Sequence, residues 1–139
     1  MPICSSLDIA GSALTAERYR TDVILQNIAN EKTTVTESGE PYRRKQVVFE
    51  ERPLSFSEEL KKAGSGVRIA QVVESRRAFQ SVYDPTHPQA DENGYVLYPN
   101  VDTTEEVIDL MAASNAYEAN LTALSVVKAT IAKTLELGK

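Results

Sequence analysis

A seven-residue repeat near the end of the chain constrains its fold most. Seven of the nine positions in two neighbouring rows are large and apolar, the pattern of a helix that packs along another helix. The two rows are Val107, Ser114, Leu121, Lys128, Leu135 and Leu110, Tyr117, Leu124, Ile131. Asp102 and Thr103, each followed three residues later by a glutamate, predict a capped start for this helix, and Gly138 predicts its end.

A second amphipathic helix is predicted near the start of the sequence. Its apolar positions also recur at helical spacing: Leu7, Leu14, Thr21 and Ile28, with Ala10 and Ile24 on the neighbouring row. Ser5 or Ser6 is the predicted cap, with Asp8 in the first turn, and the polar stretch 30–34 is the predicted end.

The lengths of the two helices indicate assembly. At about 1.5 Å per residue, the C-terminal helix of roughly 35 residues would be about 50 Å long and the N-terminal helix about 39 Å. A compact chain of this size has a diameter of only about 35 to 40 Å. Part of the apolar seam therefore needs a partner outside the chain. From the pattern alone, an ordinary helix pair within one chain is an equal alternative.

The segment between the helices is predicted to be β-rich. The runs 46–50, 67–73 and 95–98 are rich in β-branched or aromatic residues, and 77–83 is a fourth candidate strand. Turns are predicted at 38–41, 64–66 and Asn93-Gly94, and a short helical connector at 54–63. The predicted fold class is α+β, with a helical segment at 1–35, a central β-rich subdomain at 36–102 and a long helix at 103–139, all forming one assembly unit.

Charge argues against a nucleic-acid partner. Fifteen Lys and Arg against twenty Asp and Glu give a net charge of -5, whereas phosphate binding needs clustered cations. The one basic cluster, Arg43-Arg44-Lys45, is interpreted as a solvated strand edge. The first residues lack the features of a secretory signal, so these signals alone predict a cytosolic protein.

The sequence offers little catalytic chemistry. Cys4 is the only cysteine and His87, between two prolines, the only histidine, so a thiolate metal site within one chain is excluded and a hydrolase using this pair is the weaker alternative. Asp84, Asp91 and Glu92 lack the spacing of a calcium loop. We expect no enzyme activity, no cofactor, no metal and no small-molecule substrate.

Three stretches carry a family resemblance. Leu25–Asn30 and Ala113–Asn120 resemble the terminal helices of flagellar axial proteins, and Tyr83–Asp102 is similar to the family of flagellar basal-body rod protein C, of the proximal rod. The ending Lys133–Gly138 also fits. The motif positions are Asn27, Ile28, Ala29, Asn30, Asp84, Pro85, His87, Pro88, Asn93, Gly94, Tyr95, Pro99 and Asn100. Asn115 and Ala13 depart from the family pattern, which usually has Arg and often has Gly at these positions.

The resemblance implies a structural role in flagellum-dependent motility. Such proteins pass unfolded through the type III flagellar export apparatus and assemble in the periplasm into the hollow rod. The implied partners are further copies, other proximal and distal rod proteins, and the membrane ring and export gate at the rod base. The residues predicted to pack between subunits are Leu7, Leu14, Ile24, Ile28, Val107, Leu110, Tyr117, Leu121, Leu124, Ile131 and Leu135.

We also expect the terminal helices to become fully ordered only on assembly, when neighbours cover their apolar rows. Two other identities stay open at this point: a distal-rod or hook-type axial protein, and a cytosolic coiled-coil adaptor.

Overall fold

The structure, a computed structural model, describes residues 2–53 and 65–138 and has the predicted α+β architecture. The elements are α1 (Pro2–Ala29), β1 (Lys45–Glu51), β2 (Val67–Glu74), β3 (Gln80–Tyr83), β4 (Tyr95–Tyr98) and α2 (Thr103–Leu137). All four candidate strands are present, within a few residues of their predicted bounds. The predicted connector at 54–63 lies outside the described residues.

The helix ends agree with the sequence at three of four places. Asp102 caps α2 from an extended conformation, and its carboxylate accepts hydrogen bonds from the backbone N–H groups of Thr104 and Glu105. Gly138 follows the last residue of α2, and α1 ends just before the polar stretch at 30–34. The predicted cap at Ser5 or Ser6 is wrong, because α1 begins at Pro2. Proline favours the first helical position, where its fixed φ suits the helix and its missing N–H is not needed.

The two helices run antiparallel. Asn27 near the end of α1 bonds Glu106 near the start of α2, at 2.9 Å. Arg20, two turns before Asn27, lies 3.8 Å from Asp109, one turn after Glu106. Helix α1 has 28 residues and α2 has 35, so α2 is about two turns longer than α1 can cover.

The strands form two separate hairpins rather than one sheet. β1 pairs antiparallel with β2, with a register shift between Val48 and Phe49, and β3 pairs antiparallel with β4. Each sheet has two strands. Along β1 the side chains alternate, so that Val47 and Phe49 are half-buried and Val48 is exposed.

The β1–β2 hairpin packs along α1. Lys45 at the start of β1 bonds Asn27, and the backbone N–H of Val67 at the other end donates to Ser12 Oγ at 3.0 Å. Gly66 beside it has a φ of +88° and lies so close to α1 that an added Cβ would be 2.6 Å from Ser12 Oγ. Helix α1 is therefore covered on one side by α2 and on another by this hairpin.

Few apolar side chains are fully buried. Among the described residues they are Ala10, Ala16, Val23, Ile24, Tyr42, Val96, Val101 and Ala113. Three of these are alanines, so close backbone approach, rather than bulky side chains, fills much of the interior. Neither α1 nor α2 has the length and apolar character needed to cross a membrane.

Two glycine substitutions test how the hairpin docks on α1. Gly66→Ala should lower the free energy of unfolding by about 1 to 3 kcal/mol, because alanine is strained at positive φ and its methyl group would meet Ser12. Gly11→Ala is the matched control, because Gly11 lies within α1 with nothing within 4 Å of an added Cβ; it should raise stability by about 0.5 to 1 kcal/mol. Urea unfolding measures both, and equal effects would contradict the docking contact.

Candidate functional site

A cluster of buried polar side chains joins all parts of the structure. We call Asn27, Tyr42, Arg44, Asn100 and Glu106 the junction; each is buried, and Glu106 has no exposed surface. They come from α1, from the chain entering β1, from the chain preceding α2, and from the first turns of α2. Buried polar groups need partners, so the contacts within this cluster determine how the elements meet.

Asn27 uses its whole amide group. Its Nδ2 donates to Lys45 O at 2.8 Å and to Glu106 Oε2 at 2.9 Å. Its Oδ1 accepts from Lys45 N at 2.9 Å and from the hydroxyl of Tyr42 at 3.0 Å. One side chain thus ties α1 both to β1 and to α2, and its two donors and two acceptor positions are all satisfied.

Arg44 faces three carboxylates on α2. Its Nε donates to Glu106 Oε1 and its Nη2 donates to Asp109 Oδ2 at 2.8 Å, while Nη1 lies 3.7 Å from Glu105 Oε1. Burial acts to lower the pKa of the Arg44 guanidinium, but the bond to Glu106 and the three negative charges raise it above its ordinary value. Arg44 is therefore a permanent charge, and α2 is held to the central segment by charge-assisted bonds.

Asn100 connects the second half of the central segment to the junction. Its Oδ1 accepts from Arg44 N at 2.7 Å, and its Nδ2 donates to Arg77 O at 2.9 Å and Ser75 O at 3.3 Å. The backbone N–H of Ser75 in turn donates to Arg44 O at 2.7 Å. The segment before β1, the segment between β2 and β3, and the segment after β4 are therefore hydrogen-bonded to one another at Asn100 and Arg44.

A second arginine, Arg77, pairs with Glu105, which lies 3.7 Å from Arg44. Arg77 binds Glu105 with both terminal nitrogens, at 2.6 and 3.2 Å. This bond lowers the pKa of Glu105 and raises the pKa of Arg77. Burial, with the negative charges of Glu106 and Glu74, raises the pKa of the Tyr42 hydroxyl, which therefore stays a neutral donor to Asn27.

The interpretation of Arg43-Arg44-Lys45 as a solvated edge is wrong for Arg44, whose side chain is only 4% exposed. The alternation of side chains along an extended segment indicates this burial from the sequence. Extended chain alternates its faces, so Arg44 shares a face with Tyr42, while Arg43 turns outward and lies over the ring of Phe79 at 4.2 Å. The sequence pattern assigns Glu106 only to the cap of α2, whereas in the structure it shares a buried helix face with Ala113, seven residues later.

The junction has the chemistry of a structural joint. Its groups are amides, a phenol, guanidiniums and carboxylates already paired with one another. In the part of the chain that the structure describes, no group of three or more His, Cys, Asp and Glu could hold a metal ion. The side chain of Cys4 is not among the described ones, and His87 Nδ1 accepts a bond from Gln89 N at 3.2 Å within its own loop.

The loop around His87 closes the β3–β4 hairpin. Asp84 Oδ1 accepts bonds from the N–H and hydroxyl of Thr86, which lower the pKa of this carboxyl. Asp91 Oδ1 accepts from the N–H groups of Asn93 and Tyr95. Gly94 has a φ of +81° and completes the turn predicted at Asn93-Gly94, with its N–H bonded to Asp91 O at 3.0 Å.

The thirteen motif positions fall into three groups by their burial. Asn27, Gly94, Pro99 and Asn100 are buried; Ile28, Asn30, Asp84 and His87 are half-buried; Ala29, Pro85, Pro88, Asn93 and Tyr95 are exposed. The structure brings only Asn27 and Asn100 of this set into the junction. Of the two departures, Asn115 is exposed and Ala13 is half-buried.

The two predicted rows on α2 differ in their surroundings. Leu110, Leu124 and Ile131 are half-buried, whereas Tyr117, Val107, Leu121 and Leu135 are exposed. The positions turned towards α1 include the row one residue earlier, Glu106, Ala113, Asn120 and Val127, which are all buried or half-buried. On α1, Ile24 is buried, and Leu7, Leu14 and Ile28 are half-buried.

Sequence comparison agrees with the motifs. The family described as flagellar basal body rod FlgEFG protein C-terminal matches residues 92–137. The chain is 43% identical to the flagellar basal-body rod protein FlgC of Bacillus subtilis (strain 168), over 96% of this chain and 97% of the relative. It is 42% identical to FlgC of Escherichia coli O6:H1 over the full length of both chains, and 38% identical to FlgC of Borreliella burgdorferi over 99% and 98%.

Removing the Arg44 charge should disrupt the junction. Arg44→Met leaves Glu106 buried without its cation, and we expect a loss of about 3 to 5 kcal/mol in the free energy of unfolding. Arg43→Met, at the neighbouring and more exposed arginine, should cost at most about 1 kcal/mol. The double variant Arg44→Met/Glu106→Met should recover part of the loss, since neither charge is then left alone. Equal losses for Arg43→Met and Arg44→Met in urea unfolding would contradict this role.

The Arg77–Glu105 pair should make stability depend on acid pH. Because the pKa of Glu105 is lower in the folded chain than its ordinary 4.5, its contribution is complete above pH 4.5 and is lost as pH falls through the folded value. Glu105→Gln should lower stability at pH 7 and reduce the further loss on acidification, measured by urea unfolding at several pH values. Glu118→Gln, at an exposed position of the same helix, is the control. Parallel pH curves for Glu105→Gln and the parent chain would argue against the pair.

Proposed function

The chain belongs to the FlgC family of flagellar basal-body rod proteins, and we propose that it is a self-assembling subunit of the proximal rod that joins its neighbours through its terminal helices. As a member of this family it is a structural rod protein of flagellum-dependent motility, and it is located in the flagellar basal body. Its rod identity means that it assembles with other flagellar rod components.

The observation that carries the proposal is the exposed apolar surface of α2. Large apolar side chains lie exposed along nearly its whole length: Val107, Ile108, Met111, Tyr117, Leu121, Val126, Leu135 and Leu137. The last two are 67% and 88% exposed. Single exposed apolar residues are ordinary, but a continuous series on a helix that extends past its partner is typical of a surface used in assembly.

The amount of apolar surface suits contact with several neighbours. Burying one such side chain fully is worth about 1.5 to 3 kcal/mol, while association costs about 4 to 15 kcal/mol before any contact is made. Two or three side chains covered by one neighbour would give about 3 to 9 kcal/mol, which offsets only the lower part of that cost. The series spans more than one face of α2, as expected for a helix surrounded by other subunits.

The junction supports the same proposal from inside the subunit. It holds the first turns of α2 at one angle to α1 and to both hairpins through Arg44, Asn27 and Asn100. A subunit that repeats along a rod must present its contact surface at the same angle each time. We infer that the junction provides this constant angle, while the exposed apolar side chains along α2 provide the contacts.

We propose that the subunit passes unfolded through a narrow export channel before it assembles in the periplasm. Few large side chains are fully buried in the part of the chain that the structure describes, which suits such unfolding. We propose the membrane ring and export gate as contacts at the rod base, and further rod proteins along it. The role is structural and non-catalytic, in keeping with the paired state of the junction groups.

A charge in the exposed row of α2 should block assembly without unfolding the subunit. Leu121 is 49% exposed in the single chain, so Leu121→Asp should change its free energy of unfolding by less than about 1 kcal/mol. In the assembled rod the same carboxylate would be buried without a partner. Motility and electron microscopy of basal bodies should show loss of the rod in this variant and a normal rod for the conservative Leu121→Met. Normal swimming of the Leu121→Asp strain would contradict assembly through this face.

Deleting the gene tests the place in the rod. An in-frame deletion in the source bacterium should leave the membrane ring in place but remove rod, hook and filament. Basal bodies that retain a short rod stub without hook would instead place the subunit further out, and intact basal bodies would remove it from the rod altogether.

A further inference from the structure

The β3–β4 hairpin has an exposed apolar face that plays no part in the helix contacts proposed above. We define the tip face as Tyr83, Tyr95 and Leu97, which lie on one side of the hairpin in the strand register, opposite the side of Val82 and the buried Val96. All three side chains are exposed, Tyr83 to 64% and Leu97 to 50%. Three large apolar side chains exposed on one face of a small hairpin are more than the scattered apolar residues of an ordinary surface, and such patches mark interaction sites.

The aromatic rings of the tip face are held in position. Tyr83 and Tyr95 are opposite each other in the strand register, and their rings meet edge to face with centroids 5.3 Å apart. Tyr83 also packs over Gly94, where an added Cβ would lie 2.9 Å from its Cε2. A surface with prearranged rings loses little side-chain freedom on binding, which favours affinity.

The two strands lack the usual protection against pairing with other chains. Neither β3 (QSVY) nor β4 (YVLY) contains a charged residue, whereas β1 and β2 carry Lys, Arg and Glu. Soluble proteins commonly place charges on edge strands to prevent association. The absence of charge from an exposed two-stranded sheet indicates a surface that accepts a partner.

The surroundings of the tip face are acidic. The chain at 34–41 forms the other wall of a groove of about 280 Å³ along β4, with Tyr95, Leu97 and Pro41 among its lining residues. This wall carries Glu37 and Glu40, and the hairpin loop carries Asp84, Asp91 and Glu92. The stretches 34–42 and 80–98 contain no Lys or Arg. Arg43 pairs with Glu40 at 3.7 Å, so the negative field around the aromatic rings comes from Glu37 and the carboxylates of the hairpin loop.

We propose that this groove binds an extended, basic segment of another protein. Apolar side chains of the segment lie on Leu97 and the tyrosine rings, and its Lys or Arg side chains reach the ring faces and the carboxylates of Glu37 and Glu92. Charge complementarity selects this occupant: an acidic or phosphate-bearing partner would be repelled. The inference is independent of how α2 assembles, because the tip face is on a different element.

The test uses the full chain and a short fluorescent peptide that alternates lysine with valine or leucine, followed by anisotropy. We expect this peptide to bind and its glutamate counterpart not to bind. Tyr83→Ala should weaken binding about tenfold. Glu37→Gln/Glu92→Gln should weaken it and reduce its salt dependence. Tyr19→Ala, at a tyrosine of α1 that is 43% exposed, and Leu121→Asp should bind as the parent does.

Three results would overturn the proposal. The first is unchanged peptide affinity in both Tyr83→Ala and the double glutamate variant. The second is self-association of the parent chain, by analytical ultracentrifugation, that Tyr83→Ala abolishes, which would make a second copy the occupant. The third is stronger binding of the chain to phosphatidylcholine vesicles than to the peptide.

Discussion

The buried ion pair between Arg44 and Glu106 is the contact on which the arrangement of this chain depends. It joins the central segment to α2, and Asn27 on α1 bonds the second oxygen of the same carboxylate. The apolar core is too small to define these angles by shape alone, since three of the eight buried apolar residues that the structure describes are alanines. A buried pair adds less net stability than its Coulomb energy suggests, but an incomplete one is costly. We infer that the junction selects one arrangement of the elements rather than supplying most of the stability.

This arrangement divides α2 into two parts with different tasks. The turns from Thr103 to Ala113 are bound to α1 and to the central segment, and Ala113 is fully buried. From Leu121 onward the helix has only the beginning of α1 beside it, and exposure reaches its highest values here, 67% at Leu135 and 88% at Leu137. A rigid base with an uncovered extension suits a structural rod subunit, because the base sets the direction and the extension is completed by neighbours. The tip face, with its acidic surroundings, adds a separate surface directed at a different partner.

Periodicity predicted the elements well because it reports which residues avoid water. The two helices, the four strands, the cap at Asp102 and the turn at Asn93-Gly94 all follow from local pattern. Which face of α2 packs against α1 was harder to predict. The exposed faces of α2 are also apolar, and the row that faces α1 contains Glu106 and Asn120. The junction itself escaped prediction because Arg44 and Glu106 are 62 positions apart, and a charge pattern does not reveal which distant partner permits burial. The cap predicted at Ser5 or Ser6 failed because Pro2 starts the helix earlier.

Hydrogen exchange of the backbone amides along α2, in the free subunit and in purified basal bodies, tests the central claim most directly. In the free subunit, amides from about Glu106 to Ala113 should exchange slowly, and those from Leu121 to Leu137 at least a hundredfold faster. This ratio corresponds to a free energy of local opening that is lower by about 2.7 kcal/mol or more in the distal part. In basal bodies the two parts should be equally protected. Uniform slow exchange along the whole of α2 in the free subunit would contradict the claim that its distal half is completed by neighbouring subunits.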